Sequence, residues 1–216
     1  MSIYPDGFFS RACHAIFVCG SLILDDARAG GTYGPAWIIL VASAESGVGG
    51  IFKTAHLGVH HEFSSLIWQK FPDLIKAWQP LMPVGWQPAR DNAEALAAAE
   101  TGSADPAAGF LTPYGRTSLE NDFNVYAETA FAEPTLLRDL GRTYQVVAKK
   151  AGLLVAAYTA LDDRMHDVFA KLELAQFGSA FPQTLSEGYA VPAPTTMPQP
   201  SIVDHSETRT LKRKKP

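Results

Sequence analysis

The stretch from Lys53 to Phe71, KTAHLGVHHEFSSLIWQKF, constrains this chain more than any other. Ala55, Val59, Phe63, Leu66, Ile67 and the Lys70/Phe71 pair recur at i, i+3 and i+4, the spacing of one buried helical stripe. A helix here carries His56, His60 and His61, three of the six histidines, beside Glu62. His61 and Ser65 lie one turn apart on it. A domain built around such a helix buries the stripe and presents an edge of imidazole, carboxylate and hydroxyl groups.

At 216 residues and 47% apolar content, the chain can bury one sizeable core. A net charge of −4 argues against a general nucleic-acid footprint, although five of the 18 basic residues fall between Arg209 and Lys215. A solvated tail is the favoured reading of that run, ahead of a nucleic-acid, membrane or localisation patch. Cys13 and Cys19, spaced as CHAIFVC, match neither CxxC nor a zinc knuckle and are read as buried free thiols. The apolar run AIFVCGSLIL stops after ten residues at Asp25-Asp26, too short to span a bilayer and lacking the form of an export signal. The expectation is a cytoplasmic protein with no membrane span. The sequence is silent on oligomeric state.

Taken in order, HAIFVCGSLIL (14–24) reads as a strand, ARAGGTYGP as a turn-rich connection and AWIILVAS (36–43) as a second strand. The loop ESGVGG then leads into the histidine helix. After Phe71-Pro72 the chain reads as loop, punctuated by Trp78, Pro80, Pro83, Trp86 and Pro88. Asp91 with Glu94, and Thr117 with Glu120, have capping-box spacing. The first opens DNAEALAAAE. The second opens SLENDFNVYAETAFA, whose inner stripe is Phe123, Tyr126, Ala127, Ala130 and Phe131. TGSADPAAGFLTPYGR between them reads as surface loop. Pro134 suits the first turn of an amphipathic helix marked by Leu136, Leu137, Leu140, Tyr144, Val147 and Ala148, Gly152 marks a break before LLVAAYTAL, and Asp162 or Asp163 caps a last helix bearing Met165, Val168, Phe169 and Leu172. From about Gly188 the Pro-rich composition cannot bury enough surface to offset ordering. The expected organisation is an α+β domain over 1–187, with short N-terminal strands and a mostly helical body, followed by a disordered Pro-rich tail with a basic end over 188–216.

His61-Glu62-Phe63-Ser64-Ser65 is an HExxH zinc-protease motif with serine in place of its last histidine. In the full motif two histidines one turn apart face one metal, and the glutamate activates the attacking water. Here the first ligand and the base are present. Zincin-type sites also place a strand shortly before the motif helix, as AWIILVAS does, and draw a third ligand, often glutamate, from a later helix. Glu120, Asp122 and Glu128 are the candidates, and spacing alone does not choose among them. Glu120 competes with a capping role and Glu128 with a solvated helix face. Asp122 shares a helical face with Tyr126, so an inward Tyr126 carries it inward, where it needs a metal or a cation. His56 and His60, four apart, form an alternative anchor without a glutamate in the base position. His14, His166 and His205 read as ordinary core or surface histidines.

Together, the strand, HHEFSSLIW, the Pro/Trp-rich loop and GFLTPYGRTSLENDFNVYAETAF resemble a group of bacterial zinc-binding metallopeptidases of the zincin type, over roughly residues 14–175. The resemblance implies a zincin-like fold, zinc as cofactor and a peptide or protein substrate. It further implies His61 as zinc ligand, Glu62 as catalytic base, Glu120 or Asp122 as carboxylate ligand, and His60 as an outer or alternative ligand. Ser65 departs from the pattern, because a neutral hydroxyl is a poor zinc ligand. A catalytically inactive zincin-fold binding protein is therefore the alternative. A third reading, an unrelated α+β domain, requires His61 and the Glu120 to Glu128 helix to lie far apart.

Overall fold

The computed structural model describes residues 3–24, 27–42 and 47–178, with side chains for all of these except 27 and 47–55. The predicted tail lies outside the described residues. Within them the chain is α+β, with eight α-helices, a three-stranded mixed sheet and a two-stranded hairpin.

β1 (Ala15–Cys19) runs parallel to β5 (Trp37–Val41), with Ile16 beside Ile38 and Val18 beside Leu40. β2 (Ile23–Leu24) and β3 (Ala27–Arg28) form the hairpin. β4 (Gly31–Gly34) lies antiparallel to β5 and closes the sheet order β1-β5-β4. The expected strand over 14–24 is thus split, and the stretch read as turn-rich contains β4. A strand of four residues, two of them glycine, leaves too few side chains to show a period of two.

α1 (Gly47–Lys70) follows β5 and is the central element, packed on β4 and β5 and on α4 (Leu119–Ala132). Phe63, Leu66, Ile67 and Phe71 are buried as the stripe predicts. α2 (Pro72–Trp78) replaces the expected loop, because Pro72 sits in its first turn, where a missing N–H costs nothing. α3 (Asn92–Thr101) begins at the predicted Asp91 cap, whose side chain accepts from the Glu94 N–H at 2.9 Å.

The single helix expected from Pro134 to Ala148 is divided at Tyr144, whose extended backbone ends α5 (Pro134–Thr143) and opens α6 (Gln145–Leu161), and α6 runs on through Gly152, where a break was expected. Gly152 is buried, and the tertiary burial of α6 outweighs its low helix propensity. α7 (Met165–Lys171) and α8 (Ala175–Gly178) finish the described chain. Asp162, just before α7, accepts from the Arg164 N–H and pairs with Arg11, holding the N-terminal segment against the helices.

Aromatic rings fill the core. Trp78 meets Phe123 with centroids 5.3 Å apart, and Phe131 meets Tyr158 at 5.3 Å. Cys13 is buried, Cys19 is half-buried, and both are free thiols. Among the described residues no helix is long and apolar enough to cross a membrane.

Candidate active site

A cavity of about 560 Å³ opens where β4, α1, α4 and the connection ahead of α4 meet. His61, Glu62, Glu120 and Glu128 all line it. α1 supplies the first two as neighbours where its buried segment begins. α4 supplies the others, which stand eight residues apart and so share a face.

The start of α4 corrects one expectation. Ser118, not Thr117, is the N-cap, and its hydroxyl accepts from the Asn121 N–H at 2.9 Å. Thr117 instead donates to the Tyr114 carbonyl. Glu120 therefore takes no part in capping, and its carboxyl faces the cavity.

His61 Nδ1 lies 2.7 Å from Glu128 Oε1. A carboxylate only accepts, so Nδ1 carries the proton and Nε2 keeps the lone pair in the neutral ring. Burial pulls the imidazole pKa down, but the hydrogen bond and charge of Glu128, with the charges of Glu62 and Glu120, outweigh it and raise the pKa. This contact places His61 beside the helix that carries Glu120 and Glu128.

Glu62 is 8% exposed, and its carboxyl is pushed up to about 7. Burial is the main cause, the charges of Glu120 and Glu128 add to it, and His61 partly offsets it. The backbone of β4 crosses directly over this carboxyl. A Cβ on Gly31 would come within 2.5 Å of Glu62 Oε1, so a side chain at that position collides with the group.

Two tyrosines flank the carboxylates. Tyr33 hydrogen-bonds Glu120, and burial with that contact raises its pKa. Tyr114 has its ring 5.8 Å from that of His61 and hydrogen-bonds Asn121, and burial raises its pKa too. Both remain protonated at neutral pH; the Tyr33 O–H is donated to Glu120, and Tyr114 lines the cavity beside His61. Neither was singled out from the sequence, since Tyr33 stood in a glycine-rich turn and Tyr114 in a loop. A lone aromatic in a Gly/Pro segment was the available signal.

Ser65 also lines the cavity, and its hydroxyl accepts from Asn124 Nδ2 at 2.8 Å. Ser64 donates to Asn124 Oδ1 at 2.6 Å. The position of the absent second histidine thus serves a cross-link between α1 and α4.

His60 and Asp122 do not join the cavity. His60 points into the core, where Nδ1 meets the Tyr4 hydroxyl at 2.7 Å and the ring stacks on Phe131. Burial depresses its pKa to about 3, so it stays neutral. Asp122 takes the cation alternative: its Oδ2 accepts from Lys150 Nζ at 2.6 Å and from Trp78 Nε1 at 2.8 Å. A helix turns about 100° per residue, so Glu120 and Asp122 diverge by about 200° and cannot serve one site.

The cavity thus gathers one imidazole nitrogen and three carboxylates, donors suited in kind to zinc or another divalent cation. Among the described residues, no three His, Cys, Asp or Glu side chains stand together in a geometry that would hold a metal ion. No protein-family model, curated protein or solved structure matches the chain.

Proposed function

We propose that the chain is a zinc-dependent hydrolase of peptide bonds on a zincin-like fold. The observation that carries the reading is the convergence of His61, Glu62, Glu120 and Glu128 on one cavity, with Glu62 pushed up to about 7. His61 Nε2 and the Glu120 carboxylate would hold the ion, two protein ligands where catalytic zinc sites usually have three, and Glu128 would fix the His61 ring from the other side, as ligating histidines usually require. When bound, the ion supplies Lewis acidity to a substrate carbonyl. Glu62 takes the proton of the attacking water and delivers it to the leaving amine, a role that suits a carboxyl titrating near neutral pH. The Tyr114 hydroxyl supplies a donor where negative charge develops, and the Tyr33 hydroxyl orients the Glu120 carboxylate. The run from β5 into α1, and the edge strand β4 over Glu62, are consistent with the zincin-like arrangement.

A second reading, a catalytically silent binding protein of the same fold, is favoured by the engagement of Ser65 with Asn124 in place of a second imidazole ligand. Metal content of the purified chain, measured by mass spectrometry beside His61→Ala and Glu120→Ala, separates the two. About one zinc per chain, lost in both variants, is the expected result. Glu62→Gln is then expected to keep the zinc and lower peptide turnover by about 10²–10⁴-fold. A chain that takes up no metal after incubation with zinc sinks the hydrolase reading and leaves the second.

A further inference from the structure

A second cavity, of about 670 Å³, adjoins the first, and Glu120 lines both. Its wall is apolar, built by Met82, Pro83, Trp86 and Pro88 from the segment after α2 and by Leu119 at the start of α4. The Trp86 indole N–H donates to the Arg116 carbonyl at 2.8 Å, which fixes the ring against the segment leading into α4. Apolar surface continues outward: Ile75 on the same wall is 36% exposed, and Val84, between Pro83 and Trp86, is fully exposed. Contiguous exposed apolar surface of this kind marks an interaction site more often than chance.

The lining restricts what fits. Among the described residues that line it, Glu120 is the only charged side chain, so an acidic ligand group meets a carboxylate there. Gln79, Gln87 and Ser118 supply amide and hydroxyl groups suited to a peptide backbone. The volume is within the range of pockets that enclose a drug-sized ligand.

We propose that this second cavity is a specificity subsite, resting on the peptide-hydrolase reading, that takes uncharged apolar side chains of the same extended peptide whose scissile bond lies at Glu62. The shared Glu120 is the joint between the two: one chain occupying both cavities passes it. The occupant is a stretch of substrate next to the cleaved bond, with leucine- or phenylalanine-like side chains against Trp86 and Leu119.

The test uses the full-length chain in zinc-containing buffer and the acetylated, amidated pentapeptide Gly-Gly-Phe-Leu-Gly, with Gly-Gly-Asp-Glu-Gly as its acidic counterpart. Binding is followed by the NMR resonance of the Trp86 indole N–H and by calorimetry, and cleavage by mass spectrometry of the peptide. The expected result is a saturable shift of the Trp86 resonance with the apolar peptide, and affinity for the acidic one weaker by at least about tenfold, a difference of about 1.4 kcal/mol. Trp86→Ala is expected to weaken apolar binding by a similar factor. Pro88→Asp, at an exposed loop position where the fold tolerates change, is expected to do the same. An unmoved Trp86 resonance, equal affinity for the two peptides, or unchanged affinity in both variants overturns the subsite whatever the turnover. Binding at Trp86 without cleavage keeps the cavity as a peptide site and overturns the hydrolase reading alone.

Discussion

Glu62 owes its character to neighbours more than to its own helix. Its carboxyl is buried beneath the β4 backbone, and the charges of Glu120 and Glu128 hold its proton while His61 draws it away. The balance near 7 suits a group that both accepts and returns a proton. Glu128 controls His61 in the same way, which makes Glu128→Gln a sharp test. Because Glu128 raises the imidazole pKa, its neutralisation is expected to lower the His61 value in the metal-free chain, read from ring resonances in an NMR titration. The sign for stability follows: the native contact stabilises the fold below the unfolded imidazole value of 6.5, and that contribution disappears as pH rises through the higher folded value. Metal affinity is expected to fall by about 10–100-fold as well. An unshifted His61 pKa in Glu128→Gln would mean that the pair does not hold in solution. The sequence exposed His61 and Glu62 because their motif is local. It left Glu128 open because spacing does not say which side of α4 faces α1. The positions Glu120, Asn124 and Glu128, four apart, share the face that does.

The contact between α1 and α4 is where element-level structure becomes site geometry. Asn124 bridges both serines of α1 from inside the interface, and Asn124, Ser64 and Ser65 are all buried. Replacing Asn124 with alanine leaves Ser65 without the donor it uses and is expected to cost about 1–3 kcal/mol, measurable by urea denaturation. Ser118→Ala, which removes the α4 cap, is expected to cost about 1 kcal/mol. Unchanged stability in Ser118→Ala would sink the assignment, whereas a loss in Thr117→Ala reports its own bond to the Tyr114 carbonyl. Helices with strong stripes or caps, α1, α3 and α4, were legible from the sequence, as was the start of α5 at Pro134, but the division of α5 from α6 at Tyr144 was not. α2 and β4 were not, because Pro72 and the glycines around Tyr33 look like punctuation until packing gives them a role. The continuity of α6 through Gly152 likewise depends on tertiary burial that no local pattern carries.

At the scale of the whole molecule, one buried ion pair ties the helical body to the loop that walls the cavity. Lys150 of α6 and Asp122 of α4 are both fully buried, and Lys150 Nζ also donates to the Gly109 carbonyl at 3.1 Å. Tyr126 donates to the same carbonyl at 2.9 Å. Gly109 has a φ of +87°, which a residue with a Cβ rarely adopts, so the turn depends on glycine as well as on these donors. The Gly109 turn begins the segment that carries Tyr114 to the cavity. Burial raises the Asp122 pKa to about 6 and lowers that of Lys150, while the contact between them opposes both shifts. Removing one partner strands a buried charge. Lys150→Met is therefore expected to cost about 3–5 kcal/mol in urea unfolding, and adding Asp122→Leu to it is expected to recover part of the loss. Asp122→Ala, measured on its folded fraction, is expected to retain the zinc stoichiometry of the native chain, because the Asp122 carboxylate meets Lys150 and Trp78 instead of the cavity. Zinc lost from folded Asp122→Ala, with Glu120→Ala keeping it, would return Asp122 to the metal site and require α4 to present its opposite face to α1.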